Sequence, residues 1–96
     1  MRVAKVIGTT VSTIKEPTLK GRKLLILRQT DVDGEPFGDV YVAVDTLDAG
    51  TGDLVLTAHG SGGRQTELTE NRPVDAVIMA VIDHLQVGGE VTYRKT

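Results

Sequence analysis

The glycine-rich segment at residues 60–64 is the part of this sequence that most resembles a binding site. Consecutive glycines leave backbone N–H groups accessible, and such groups can bind an anion beside a cation such as Arg64. The segment is not a phosphate-binding P-loop, because the required lysine and hydroxyl are missing at the necessary spacing. It is not a dinucleotide motif either, because Gln65 stands where the third glycine would be. We therefore interpret residues 60–64 as a turn that packs closely against a neighbouring subunit.

The acidic residues that begin at Asp31 have the composition of a calcium-binding loop. An EF-hand loop needs glycine at its sixth position and glutamate at its twelfth, to form the sharp turn and supply a bidentate ligand. Those positions are occupied by Pro36 and Val42. The dipeptide Asp33-Gly34 is typical of a tight turn between two strands, so we predict a hairpin here instead of a metal site.

Histidine, serine and cysteine give no sign of catalysis or metal binding. His59 and His84 lie far apart without a paired ligand motif, and the chain has no cysteine to supply a thiolate. Ser61 is close to His59 in sequence, but the Gly-x-Ser-x-Gly motif of a nucleophilic serine is absent. We therefore expect no enzymatic activity, no metal and no cofactor.

Four aspartates remain as candidates for structural roles. Asp45, Asp48 and Asp53 flank a turn, where we expect them to accept hydrogen bonds from backbone N–H groups. Asp83 ends an apolar run, where a charge is costly unless it is paired. Our hypothesis for Asp83 is an ion pair with an arginine, including one across a subunit interface; the candidates are Arg64 and Arg72.

The composition is that of one globular domain spanning residues 1–96. Hydrophobic residues make up 40% of the chain and aromatic residues only 3%, so the core must be aliphatic. The formal charge is −2 with both signs dispersed, which predicts no nucleic-acid partner. No signal-peptide core or membrane-spanning run is present, and we expect a cytoplasmic protein with no membrane association.

Short runs rich in β-branched residues predict an all-β fold. The predicted strands are residues 3–11, 23–30, 39–45, 54–58, 76–85 and 91–94. Gly88-Gly89 predicts a second hairpin turn, and Ser61 is a possible N-cap for one short helical turn at residues 61–66. The pattern is typical of a small five-stranded antiparallel barrel of the OB type with one short helix.

Four of these runs are apolar on both faces of the strand. A strand covered on one face alternates apolar and polar residues, whereas a continuous apolar run indicates cover on both faces. The runs are residues 24–27, 40–44, 54–56 and 76–82. A chain this short has little left to cover the outside of a barrel, so we expect other copies of the chain to cover it.

Several segments in order along nearly the whole chain carry a resemblance to a known family. They are residues 1–13 (MRVAKVIGTTVST), 23–25 (KLL), 42–56 (VAVDTLDAGTGDLVL), 60–65 (GSGGRQ) and 72–83 (RPVDAVIMAVID). Together they resemble the vertex proteins of bacterial microcompartments, of the carboxysome and ethanolamine-utilisation types. One departure is that Gly62 and Gly63 precede Arg64 where the family often reads Gly-Ser-Ser-Ala-Arg.

This resemblance implies a structural protein that forms a homopentamer and caps the five-fold corners of a polyhedral shell. Hexameric shell proteins would be its partners. The residues that the resemblance assigns to turns and subunit interfaces are Asp45, Gly50, Gly52, Gly60, Ser61, Arg64, Pro73 and Asp75. The alternative is a small OB-type barrel that binds single-stranded nucleic acid or a small ligand. The few aromatics and the net negative charge weigh against a nucleic-acid groove of that kind.

Overall fold

The computed structural model describes residues 1–11, 17, 21–59 and 76–95. Within these residues the chain forms β-strands and no helix. The strands are β1 (Arg2–Thr9), β2 (Lys23–Thr30), β3 (Pro36–Asp45), β4 (Leu54–His59), β5 (Ala76–Val81), β6 (His84–Val87) and β7 (Glu90–Arg94). The all-β prediction is confirmed, while the predicted helical turn at residues 61–66 lies outside the described residues.

Five strands close into a barrel in the order β1-β2-β3-β5-β4. The contacts are antiparallel except between β3 and β5, which pair in parallel through Ala43↔Ala76 and Val44↔Val77. The five-stranded barrel that the sequence predicted is thus present, with one parallel contact among its antiparallel ones. Strand directions cannot alternate all the way around a closed ring with an odd number of strands, so one adjacent pair must run in the same direction.

The barrel interior is filled by aliphatic side chains at alternating strand positions. Inward-facing residues repeat every second position along a strand, which places one residue of each alternating pair in the core. The buried cluster consists of Ala4, Val6, Leu25, Leu27, Ala43, Ala49, Val55, Ala76 and Ile78. Leu25 of β2 lies opposite Ala43 of β3, so a large and a small core residue stand side by side. The core is aliphatic, as the composition predicts.

The last two strands form a hairpin outside the barrel. The sequence predicted one strand over residues 76–85, but β5 ends at Val81 and a separate strand begins at His84. The chain leaves the barrel where the Ile82 N–H donates to the Leu54 carbonyl oxygen at 2.8 Å, and Asp83 then lies exposed in the turn. The predicted hairpin turn at residues 88–89 is present, and both of its glycines have positive φ.

Two contacts hold this hairpin against the β2–β3 turn. The Thr92 hydroxyl donates a hydrogen bond to the Val32 carbonyl oxygen. Gly34 in that turn lies so close to Tyr93 that an added Cβ would be 3.1 Å from the ring. The predicted tight turn at Asp33-Gly34 is therefore also the surface against which the C-terminal hairpin packs. No helix in the described ranges is long and apolar enough to cross a membrane.

Candidate assembly interface

The outer wall of the barrel is apolar where β2 and β3 pair. Ile26 lies opposite Val42, and Arg28 lies opposite Val40. These residues alternate with the core residues Leu25 and Leu27, so they face outward. Val40 is 57% exposed, and Ile26 and Val42 are half-buried. An aliphatic wall of this kind is the expected surface for contact with another protein.

A β-bulge interrupts β1 beside the same wall. The register with β2 shifts between Val6 and Gly8, and the extra residue, Ile7, is 42% exposed. Gly8 pairs with Ile26, and an added Cβ on Gly8 would lie 3.9 Å from the Cδ1 atom of Ile26. A glycine inside a strand marks a place where another backbone can approach closely. We define the apolar wall as Ile7, Gly8, Ile26, Val40 and Val42.

Other outward-facing residues are already covered within one protomer. Val44 and Val77 pair across β3 and β5 on the outer side, yet they are 0% and 2% exposed. Leu54 is 1% exposed, and its Cδ1 atom lies beneath the turn at Gly34. The sequence predicted that neighbouring copies cover all four apolar runs. That prediction is wrong for Val44, Leu54 and Val77, which the protomer itself covers. Within the four runs, the large apolar side chains that remain exposed are Val40 of the apolar wall and Met79 of β5.

Two cations border the apolar wall. Lys5 of β1 lies directly opposite Arg28 of β2, and both side chains face outward. The Arg28 Nε–H donates to the Gly38 carbonyl oxygen at 2.8 Å, which fixes the guanidinium at the surface. Within the described residues, neither cation forms an ion pair. The pair concentrates positive charge at this edge of the wall. Like charges directly opposite one another in a sheet also repel, which destabilises the pairing.

Asp45 organises the loop that follows β3. Its side chain is fully buried and accepts hydrogen bonds from the Leu47 and Ala49 N–H groups, both at 2.9 Å. Lys23 lies 3.6 Å from Asp45 and donates to Asp48 at 3.0 Å. The hydrogen bond from Lys23 to Asp48 raises the pKa of the Lys23 ammonium group. The role that turn composition predicts for Asp45 is thus present, whereas Asp48 pairs with a lysine instead of a backbone N–H.

The second half of this loop extends the pairing with β1. Gly52, with φ of 95°, donates its N–H to the Val6 carbonyl oxygen at 2.8 Å, and the Val6 N–H donates to Asp53 at 2.9 Å. The Asp53 carboxylate accepts the Gly50 N–H at 2.9 Å. The loop is therefore fixed to the barrel by its own backbone. Beside it lies an open depression of about 280 Å³ lined by Gly21, Arg22, Lys23, Asp45, Thr46 and Asp48.

A hydrogen-bonded cluster that sequence reasoning missed closes part of the barrel interior. The Tyr41 hydroxyl lies 3.0 Å from Oγ1 of the buried Thr57, which also lies 3.0 Å from Nε2 of His59. The rings of Tyr41 and His59 are 5.1 Å apart. Burial raises the pKa of Tyr41, against opposing effects of the Thr57 hydrogen bond and the charge of Arg2. Because β3 and β4 are not adjacent, only the closed barrel brings these residues together.

Of the remaining predicted site residues, Asp83 lies among the described residues and the others do not. The Asp83 carboxylate is exposed, so the burial conflict behind its predicted ion pair is absent in one protomer; its backbone oxygen accepts the Lys95 N–H at 2.7 Å. The predicted residues outside the described part are Gly60, Ser61, Arg64, Pro73 and Asp75, together with Arg72. In the described residues, no three histidine, aspartate or glutamate side chains converge as metal ligands would.

Comparison with known proteins explains this arrangement. Residues 1–83 match the family described as ethanolamine utilisation protein EutN/carboxysome. The carboxysome shell vertex protein CcmL of Synechococcus elongatus is 42% identical over 95 residues, covering 99% of this chain and 96% of the relative. The chain belongs to the EutN/CcmL family. The microcompartment shell vertex protein EutN of Salmonella typhimurium is 38% identical, with the same coverage of both chains.

A solved structure extends the likeness to an assembled member. The GrpN pentameric microcompartment shell protein of Rhodospirillum rubrum is 36% identical, with a TM-score of 0.75 over 91% of this chain and 98% of GrpN. The match to the EutN/CcmL family ends at residue 83, so it spans the barrel and stops before β6. The hairpin β6–β7 nevertheless falls within the range over which the CcmL and EutN relatives align.

Proposed function

We propose that this chain forms a homopentamer that caps the five-fold vertices of a bacterial microcompartment shell. Hexameric shell proteins, which tile the flat facets, are its partners there, and the protein resides in the shell inside the cell. Its role is structural, with no catalytic step. The proposal also assigns turn and subunit-interface roles to the residues named from the family resemblance, including those outside the described part.

The observation that carries this proposal is the uncovered apolar wall in a member of a family of shell vertex proteins. A free protomer exposes aliphatic side chains on a rigid sheet, which favours association. A head-to-tail interface repeated by a fixed rotation closes into a ring when the rotation divides the full circle. Five-fold units are the geometric requirement for closing a shell whose flat facets consist of six-fold units.

Native mass spectrometry of the purified chain tests the assembly. The chain has a mass of 10.3 kDa, and we expect the dominant species at micromolar concentration to have five times that mass. A matched variant with Val40→Lys places a charge on the most exposed side chain of the apolar wall while leaving the core residues unchanged, and should shift the distribution towards protomer. A wild-type protein that remains a protomer at micromolar concentration would contradict the proposal.

Deletion of the gene in its host tests the vertex role separately. Without five-fold units the facets can still form, so shells should become elongated or open instead of disappearing. Electron microscopy of the purified compartments distinguishes these results. Closed shells of normal shape, in cells that lack this chain and any second vertex protein, would show that corner closure does not depend on it.

A further inference from the structure

We infer that the ring contact joins the Lys5–Arg28 edge of the apolar wall on one copy to the β6–β7 tip, residues 87–91, of the next copy. The inference rests on the proposed pentamer and specifies its two contacting surfaces. Its occupant is a second copy of this chain. Three features support the contact: a pair of adjacent cations without an ion-pair partner among the described residues, an apolar surface beside it, and a second surface of opposite charge on the same protomer.

The first surface has a positive charge that no carboxylate of the described residues compensates. Lys5 and Arg28 are directly opposite one another on adjacent strands, the arrangement in which like charges repel most strongly in a sheet. No carboxylate of the described residues lies within ion-pair distance of either. The exposed side chain of Val40 faces Arg28 across β2 and β3. A complementary partner would present a carboxylate flanked by aliphatic side chains.

The second surface has this composition. Glu90 is exposed, forms no ion pair with another described residue, and pairs with Val87 at the end of the hairpin. Val87 and Val91 are 50% and 44% exposed, which is high for aliphatic residues in strands. An added Cβ on either Gly88 or Gly89 would have no atom within 4 Å, so the turn projects into open space. The tip is therefore free to enter a contact.

Cyclic symmetry requires two different surfaces of this kind. In a head-to-tail ring each copy uses one patch for the preceding neighbour and a distinct patch for the following one. The wall and the tip lie on separate elements, and neither element's backbone pairs with the other. The two surfaces carry opposite charges, and both contain exposed aliphatic side chains. A wall-to-tip contact therefore sets the Glu90 carboxylate against the two cations, offsets part of their charge and buries aliphatic surface.

Replacing Lys5 with glutamate separates protomer stability from assembly. Lys5→Glu removes a repulsion and places a carboxylate opposite Arg28. At a protein concentration low enough for both proteins to be protomers, the variant should therefore unfold at a higher urea concentration than the wild type. The same change puts a negative charge where Glu90 of the neighbour must dock. The protomer concentration at half-assembly, measured by native mass spectrometry or sedimentation, should rise at least tenfold. If Lys5 affected only the folding of the protomer, the variant would not both raise the urea midpoint and weaken assembly.

Exchanging the charges of Lys5 and Glu90 tests whether assembly can be restored. Glu90→Lys alone should weaken assembly as Lys5→Glu does, and the double variant should recover the wild-type half-assembly concentration to within threefold. The control is Asp83→Lys, which reverses another exposed carboxylate near the hairpin but outside its tip and should leave that concentration unchanged. Failure of the double variant to recover, or an equal effect of Asp83→Lys, would overturn the inference.

Disulfide trapping gives a direct geometric test, since the natural chain has no cysteine. A chain carrying Val40→Cys and Val91→Cys should form a ladder of covalent multimers under mild oxidation, and each single variant should give at most dimers. Moving the second cysteine from Val91 to the exposed Met79 of β5 should abolish the ladder. A wild-type five-fold mass together with no ladder and no charge rescue would refute the wall-to-tip contact and leave the pentamer intact. A wild-type protomer would refute the proposed function itself.

Discussion

Removal of the Asp45 carboxylate should destabilise the protein far more than removal of the Asp48 carboxylate, although Asp48 lies closer to their shared lysine. Lys23 is 3.0 Å from Asp48 and 3.6 Å from Asp45. The side chain of Asp48 is 95% exposed, whereas that of Asp45 is fully buried. Exposed ion pairs contribute little because water and salt screen them. Burial, and not the shorter distance, should therefore decide which aspartate matters.

The magnitude follows from the backbone hydrogen bonds of Asp45. Asp45→Ala leaves the Leu47 and Ala49 N–H groups without their acceptor. A hydrogen bond to a charged group contributes about 1.5–3 kcal/mol, so the loss of two should cost about 3–6 kcal/mol. For a domain of this size that corresponds to a fall in Tm of roughly 12 °C or more. Asp45→Asn retains one carbonyl acceptor and should cost about half as much.

Urea unfolding followed by circular dichroism, at one fixed protein concentration, measures these differences. Fixing the concentration is necessary because assembly adds a concentration-dependent contribution to apparent stability. Asp48→Asn is the matched control, since asparagine tolerates the positive φ of 59° at this position. It should leave the urea midpoint almost unchanged. Equal losses for Asp48→Asn and Asp45→Ala would show that proximity to the lysine, and not the buried backbone acceptors, holds the loop.

Two further predictions concern the packing of the C-terminal hairpin and the behaviour at alkaline pH. Gly34→Ala and Gly38→Ala each place a side chain at positive φ, which costs about 1–2 kcal/mol. Only at Gly34 does the new Cβ also contact the Tyr93 ring. Gly34→Ala should therefore lower Tm more than Gly38→Ala does, and it should increase hydrogen exchange in β7. The pKa of Tyr41 is raised by burial, so the folded state retains the phenol proton to higher pH than the unfolded state does. The free energy of unfolding should therefore stay constant below about pH 10 and fall as the pH rises above it. Tyr41→Phe should reduce this fall, as measured by urea midpoints between about pH 9 and 11.5. An unchanged pH dependence in the variant would show that Tyr41 is not the group responsible.

Local sequence signals predicted the strands because the core positions and the turn residues agree. Residues 23–30 were predicted as one strand and β2 has those bounds, since its inward residues Leu25 and Leu27 alternate with outward ones. The Asp33-Gly34 turn follows from the positive φ that glycine tolerates, here 83°. The end of β5 was missed because Ile82 continues the apolar run, although its N–H bonds to Leu54 and the chain turns immediately afterwards.

Features that depend on closure of the barrel could not be predicted from local patterns. The contact between Tyr41 and His59 joins strands that are separated by β5, and neither residue has a neighbouring motif that indicates a pair. The parallel β3–β5 contact is equally non-local, although the odd number of strands in the predicted barrel already required one such pair. The cation pair was missed for a related reason: Lys5 and Arg28 are brought together by the register of β1 against β2, which shifts at a bulge and which no local pattern predicts.

The energetics of the apolar wall indicate why a ring of this protein needs more than hydrophobic contact. Full burial of an aliphatic side chain contributes about 1.5–3 kcal/mol, and the residues of the wall are already partly buried in the protomer. Four such side chains, each gaining about half of that amount, contribute about 3–6 kcal/mol, which is at the low end of the cost of association. Wall burial alone would therefore give a weak ring at micromolar concentration. In the proposed wall-to-tip contact, the additional stabilisation comes from the surface that docks on the wall, where a carboxylate placed against Lys5 and Arg28 offsets their mutual repulsion. The same contact selects the head-to-tail arrangement, because two copies of the wall facing each other would bring four cations together.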